Sequence, residues 1–237
     1  MYKVIMSRKV FAVSYLVIFL SAALLFNGCA GSNETNTLSQ TDSLTDSLKE
    51  LYDADALLKK ADRLFKEKDY PGAIQEYKRF LELHPIHKSA SYSQYRIGLS
   101  YFKQIRSIDR DIEPVQKALS AFDTIVNVYP GSEYKNDSTE KIKICRDKLA
   151  EREFYIGNFY MRKEDYQAAI VRFTNVLTDY NDTGIVEKTL YHLGIAYSSS
   201  SKADKAKETL QTLLTSYPES SYKEDASQLL ARLNTPH

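Results

Sequence analysis

Tyr129-Pro130-Gly131-Ser132-Glu133-Tyr134-Lys135 returns near the C-terminus as Tyr217-Pro218-Glu219-Ser220-Ser221-Tyr222-Lys223. Weaker copies stand at Tyr180-Asn181-Asp182-Thr183 and at His84-Pro85. Each copy ends one apolar run of helical period and precedes another, so each predicts a helix stop followed at once by a helix start. Proline cannot extend the helix before it, and Ser or Thr just beyond offers an oxygen to the free amides of the next helix. Ser221 with Glu224 has the spacing of a capping box.

Counting back from these stops exposes one repeated pattern. A small residue and a large one three later occupy the first helix; Ala, a large residue and an apolar residue occupy the second; the turn closes the unit. The copies are Ala61, Leu64, Ala73, Tyr77, Phe80, Pro85; then Gly98, Tyr101, Ala118, Phe122, Ile125, Pro130; then Gly157, Tyr160, Ala169, Phe173, Val176, with Asn181 for Pro; and Gly194, Tyr197, Ala206, Leu210, Leu213, Pro218. This is the tetratricopeptide pattern. Gly or Ala facing Ala lets antiparallel helices approach to roughly 8 to 10 Å, and the large residues fill the layer between hairpins. The expected fold is all-α, a solenoid of about five antiparallel hairpins, one irregular. The segment 220–233, with Leu229, Leu230 and Leu233, is expected to cap it.

Two interruptions break the regularity. Extra length at 103–114 holds Arg106-Ser107-Ile108-Asp109-Arg110-Asp111, and an additional helix over about 134–150 either runs on into the next helix or pairs as a degenerate hairpin. The repeats divide into 51–133 and 134–237, and the first helix is expected to begin near Leu51 or Asp53.

Ahead of the repeats, Lys3, Arg8 and Lys9 precede a charge-free run from Val10 to Phe26 that ends in Gly28-Cys29. A basic start, an apolar stretch and a small residue before the cut make residues 1–28 a secretory signal. Leu25-Phe26-Asn27-Gly28-Cys29 resembles the bacterial lipobox, so Cys29 is expected to carry the lipid, the one non-protein group the chain needs. Ala30 is not the Asp that retains lipoproteins at the inner membrane, which directs the chain to the periplasmic face of the outer membrane. Residues 29–50, rich in Ser, Thr, Asn and Asp, form a lipidated tether that spans roughly 25 Å as a random coil. Cutting before Cys29 leaves 209 residues and moves the formal charge from +1 to −2, which gives no reason to expect nucleic acid. Cys145, the remaining thiol, follows Ile142 and precedes Leu149 at helical spacing and is expected in the core.

The chain resembles the outer-membrane protein assembly lipoprotein family, BamD or YfiO. The resemblance rests on the leader, the tether and the Ser-x-Asp-Arg-Asp insertion at 107–111. It continues through the block from Ala118 to Tyr134, the long helix from Lys148 to Tyr160 and the Asp179-Tyr180-x-Asp182-Thr183 turn. It implies a periplasmic scaffold of the β-barrel assembly machine. Such a scaffold binds the POTRA domains of a BamA-like barrel subunit through its C-terminal repeats, receives unfolded outer-membrane barrel proteins at its N-terminal repeats, and joins other assembly lipoproteins. Arg172 aligns with a family position for POTRA contact, and Lys163 and Arg162 lie near the preceding turn. For substrate, the inward positions of the first two copies are Leu58, Phe65, Tyr92, Tyr95, Leu99 and Phe102. They suit an extended peptide with an aromatic end, and Lys59, Arg96 and Lys103 are near enough in sequence to meet its carboxylate. The same aromatics equally suit hairpin-to-hairpin core.

Other signals fall away. His84 and His87 lack a third ligand, His192 stands alone, and no zinc-type spacing exists, so no metal is expected. Asp109 and Asp111 flank Arg110, which suits ordering of the insertion or capping of the helix at Pro114 better than catalysis. No phosphate loop, nucleophile elbow or HExxH occurs, and eight glycines leave little material for such loops. No catalytic residue is expected. The alternative is another periplasmic repeat lipoprotein, such as a Tol-Pal-associated constriction factor, although no sustained heptads precede Leu51.

Overall fold

The computed structural model describes residues 52–106 and 111–235, and every regular element among them is a helix. In order these are α1 (Ala54–Lys66), α2 (Tyr70–Leu83), α3 (Ala90–Lys103), α4 (Glu113–Val128), α5 (Lys135–Arg162), α6 (Tyr166–Asp179), α7 (Val186–Ser199), α8 (Ala203–Ser216) and α9 (Lys223–Asn234). Each packs on its neighbours in chain order, as a solenoid requires. The signal segment, Cys29, the tether and residues 107–110 of the insertion lie outside the described residues.

The repeated heptapeptide is a pair of tandem turns. The amides of His84, Tyr129, Tyr180 and Tyr217 donate to the carbonyls of Phe80, Ile125, Val176 and Leu213 and close the preceding helices. Three residues on, His87, Ser132, Thr183 and Ser220 donate back to His84, Tyr129, Tyr180 and Tyr217, and Ala90, Lys135, Val186 and Lys223 then repeat the step. All four copies share one backbone course, including the one with Asn181 for Pro and the one reduced to His84-Pro85.

The Ser side chains act one step earlier than expected. Tyr134 and Tyr222 are the N-cap residues of α5 and α9, and neither helix has a side-chain cap. Ser132 Oγ and Ser220 Oγ instead accept the amides of Tyr134 and Tyr222 at 3.2 and 3.0 Å. The capping box expected of Ser221 and Glu224 therefore does not form, because the tandem turns move the helix start to Tyr222. The second tyrosine of the motif has a packing reason: Tyr134 stacks on Tyr95 of α3 at 4.6 Å and Tyr222 on Tyr191 of α7 at 5.1 Å.

Within hairpins a different turn recurs. Lys68, Glu164 and Ser201 take φ of 65°, 60° and 60°, and the first two are followed by Asp69 and Asp165, which cap α2 and α6 through the amides of Gly72 and Ala168 at 3.1 Å. At α1 the cap is Asp53, accepting the Ala56 amide at 2.8 Å. The second hairpin has the insertion instead, and Asp111 Oδ1 accepts the Glu113 amide at 2.9 Å as the chain enters α4.

The core follows the repeat pattern. Ala73, Tyr77, Phe80, Ala118, Phe122, Ile125, Ala169, Phe173, Val176, Ala206, Leu210 and Leu213 all have 0% exposure. Opposite them stand Gly98, Gly157 and Gly194, where a Cβ would lie 2.7, 2.4 and 2.7 Å from atoms of Phe122, Phe173 and Leu210. The additional helix resolves as one continuous element, the 28-residue α5. Its first half places Cys145 and Leu149 against Val115, Ala118 and Phe122, and its second half places Phe154 against Ala169 and Phe173. Cys145 is fully buried, and burial pushes its thiol up to about 12, so it stays a neutral core residue. Arg146 of α5 grips Asp182 at 2.6 and 2.9 Å and the Asp179 carbonyl at 2.8 Å, fastening the α6–α7 turn to α5. Leu229, Leu230 and Leu233 of α9 pack over the cluster of Leu210, Leu213 and Ala226 and close the C-terminal end.

Candidate functional site

The N-terminal repeats carry a cation set among aromatic rings. Helix α1 presents Asp62 and Phe65 one turn apart, α2 presents Tyr77, and α3 presents Tyr92 and Arg96 one turn apart. The Arg96 guanidinium lies 3.6 Å from the Phe65 ring centroid, and its Nε donates to Tyr77 Oη at 3.0 Å. The hydroxyls of Tyr77 and Tyr92 both donate to Asp62 Oδ1, the latter at 2.6 Å, and Arg96 stands 3.8 Å from the same oxygen. Burial, then the Asp62 carboxylate, pushes the Tyr77 phenol far above its usual range and the Tyr92 phenol to about 12, so both remain donors.

This geometry changes the meaning of Arg96. A carboxylate pocket was expected from Arg96 with Lys59 and Lys103, but Asp62 already answers the guanidinium, and a stacked, paired Arg is a platform more than a free charge. Lys59 and Lys103 are exposed, and Lys103 lies two turns beyond Arg96, about 10 Å along the helix. Asp62, which sequence reading did not single out, is the centre of the cluster. Its only signal is an acid three residues before Phe65 on the face carrying Leu58 and Ala61.

The other groove positions belong to the next layer. Tyr95, Leu99 and Phe102 pack against the cluster of Val115, Ala118, Phe122, Cys145 and Leu149, with Tyr95 and Phe102 at 6.1 and 6.2 Å from Phe122. Tyr95 also donates its hydroxyl to Asp137 of α5. Phe65, Tyr92 and Arg96 are thus brought together, whereas Tyr95, Leu99 and Phe102 form a second group; all six are half-buried and present an edge to solvent.

In the C-terminal half Arg172 of α6 meets Glu153 of α5. Nη1 alone makes the contact, at 3.2 and 3.4 Å to the two carboxylate oxygens, and Asn175 Nδ2 donates to the same group at 3.1 Å. Glu153 is 18% exposed and Arg172 37%, so the acid is the inner member and steers the guanidinium outward. Arg162 and Lys163 are exposed at the far end of α5, nine residues beyond Glu153 and about 14 Å along the helix. The three cations therefore lie along one hairpin without forming a single cluster. Lys163 Nζ sits 5.9 Å from the Phe159 ring, which is itself exposed. Glu153 was missed because an acid nineteen residues from its partner leaves no mark in local spacing.

His192 is inside. Its ring meets Phe154 at 4.9 Å and Phe173 at 5.9 Å, and burial, aided by Lys188, pushes its pKa down to about 4. Among the described residues no three His, Cys, Asp or Glu side chains converge as a metal ion would need, and no helix is long and apolar enough to cross a membrane.

A family model called YfiO, described as an outer membrane lipoprotein, matches residues 43–209. Three curated relatives carry the name outer membrane protein assembly factor BamD. That of Rickettsia prowazekii is 31% identical over 175 residues, covering 74% of this chain and 70% of its own length. That of Caulobacter vibrioides is 34% identical over 161 residues, 68% of this chain and 53% of its own. That of Neisseria gonorrhoeae is 30% identical over 174 residues, 69% of this chain and 65% of its own. The chain thus spans less than two thirds of the length of the latter two.

Proposed function

The chain belongs to the YfiO family of outer membrane lipoproteins, and from that premise we propose that it is a scaffold for assembly of outer-membrane β-barrel proteins, anchored at the periplasmic face by lipid on Cys29. It holds partners in register and makes or breaks no covalent bond. The lipid is its one non-protein group, and it works without metal or catalytic residues. The observation that carries this reading is the continuity of the family match through both halves of the stack, residues 43–209.

The C-terminal half takes the POTRA region of the barrel subunit through Arg172, with Arg162 and Lys163 further along the same hairpin. Because Glu153 occupies one nitrogen only, the remaining edge of the Arg172 guanidinium is free to meet a partner carboxylate bidentately. The N-terminal half takes an unfolded barrel strand against Phe65, Tyr92 and Arg96, with Tyr95, Leu99 and Phe102 along the adjoining layer. Other assembly lipoproteins complete the complex. The test is co-purification from solubilised envelope of the full lipidated chain bearing Arg172→Glu. The reversal places an acid against Glu153 and any partner acid, and at least a tenfold loss of the barrel subunit is expected, roughly the 1.4 kcal/mol that separates decades of affinity. Unchanged recovery together with unchanged outer-membrane barrel levels would reject the contact.

A further inference from the structure

An open groove of about 530 Å³ runs along α4, on a part of the surface that neither binding region described above uses. Leu149 of α5 and Tyr180, at the end of α6, form its far wall, and Leu119, Asp123, Asn127 and Val128 are its main α4 residues. Among the described residues Asp123 is the only charged side chain lining it. Its carboxylate is half-buried and has no hydrogen-bond or ion-pair partner among the described residues.

Arg146, whose charge acts on Asp123, makes its hydrogen bonds elsewhere. It is spent on Asp182 and the Asp179 carbonyl through both Nε and Nη2. A half-buried carboxylate without a partner is costly, and burial accordingly raises the Asp123 pKa against the pull of Arg146. Beside this acid the groove offers apolar surface: Val128 is 63% exposed, half-buried Leu119 lies further back on the same helix, and half-buried Tyr180 stands on the far wall above the buried Leu149. The run from Gln116 to Val128 is about 18 Å long, which accommodates roughly five residues of extended chain. Asn127, one turn beyond Asp123, presents an amide that can bond a peptide backbone on either side.

We propose that this groove docks an extended segment of a partner protein in which one Lys or Arg is flanked by aliphatic residues. The cation meets Asp123, and the aliphatic side chains lie on Leu119, Val128 and Tyr180. Charge complementarity decides the occupant, since among the described residues the groove presents a single acid to which no cation is hydrogen-bonded or ion-paired. The inference stands apart from the assembly reading, because it uses none of the residues assigned to the barrel subunit or to substrate.

The experiment uses the full lipidated chain in detergent and two capped, dye-labelled pentapeptides, Gly-Leu-Arg-Leu-Gly and its counterpart with Glu at the centre. Fluorescence anisotropy is expected to show the Arg peptide binding at least fivefold more tightly. A benzophenone version of the Arg peptide should cross-link within residues 116–128. Asp123→Asn should bring the Arg peptide to the level of the Glu peptide while the melting temperature holds or rises, since a half-buried charge is removed. Val128→Lys, at an exposed position, should reduce binding of the Arg peptide more than fivefold, since it adds a like charge and removes an apolar contact. Absence of measurable binding, equal affinity of the two peptides, cross-links confined to residues away from α4, Leu149 and Tyr180, or an Asp123→Asn chain that keeps its preference would each overturn the proposal.

Discussion

At the scale of the residue, the hairpin crossings set the tightest limits. A Cβ at Gly157 would stand 2.4 Å from the buried Phe173 ring, whereas at Gly131 nothing lies within 4 Å. Gly157→Ala should therefore destabilise the chain by about 1 to 3 kcal/mol, and Gly131→Ala by less than about 0.5, in chemical denaturation followed by circular dichroism. His192 gives a second expectation. Its folded pKa of about 4 lies below the ordinary value of 6.5, so below 6.5 the unfolded chain takes a proton that the folded one refuses. That contribution to stability is complete above about 6.5 and is lost as pH falls toward 4; denaturation midpoints measured across this window should drop, and His192→Leu should flatten the drop. What sequence showed at this scale was the identity of the core. Ala73, Ala118, Ala169 and Ala206, with the large residues that follow them, were legible because the repeat names them four times. The partners of Arg96 and Arg172 were not legible: Asp62 and Glu153 come from other helices, and only folding brings them within reach.

At the scale of the element, the two kinds of turn differ in what they ask of the chain. The tandem turn between hairpins depends on backbone hydrogen bonds, so His84-Pro85 and Tyr180-Asn181 build it as well as the two Tyr-Pro copies. Helix ends were therefore readable from weak copies. The capping detail was not, because Ser221 and Ser220 differ by one residue and only the backbone course selects Ser220. The continuity of α5 was one of two outcomes open to sequence, since the mostly charged stretch between Cys145 and Phe154, broken only by Leu149 and Ala150, suits a bent hairpin as well as a straight helix. Arg146 secures that outcome from outside by tying the α6–α7 turn to α5. Arg146→Ala should cost about 1 kcal/mol or less, the usual worth of an exposed pair, but should speed amide exchange at residues 180–186 well beyond the global effect. Asp182 is held below the ordinary carboxylate range chiefly by its hydrogen bonds from Arg146. Its contribution is present at neutral pH and fades as pH falls through that lowered value, a dependence the Arg146→Ala chain should lack.

At the scale of the molecule, stability is shared between neighbours, and the ends matter most. Deleting α9 would uncover Leu210, Leu213 and the stacked ring of Tyr191, so a chain ending before Lys223 should melt lower and bind hydrophobic dye, while its N-terminal hairpins keep their protection in hydrogen exchange. The architecture and family were legible at this scale because repetition and a characteristic insertion span nearly the whole sequence. The α4 groove was invisible, as it joins residues of α4 and α5 to the turn after α6 through no shared motif. The length of α5 has a further result. With 28 residues and about 100° of rotation per residue, it acts as a phase link between the hairpins before and after it. Adding or removing one residue near Arg152 would swing everything downstream by about 100° about the helix axis, whereas seven residues would nearly restore the angle and displace the later hairpins by about 10 Å. The residue count of α5 is therefore locked to the angle between the hairpins on either side of it.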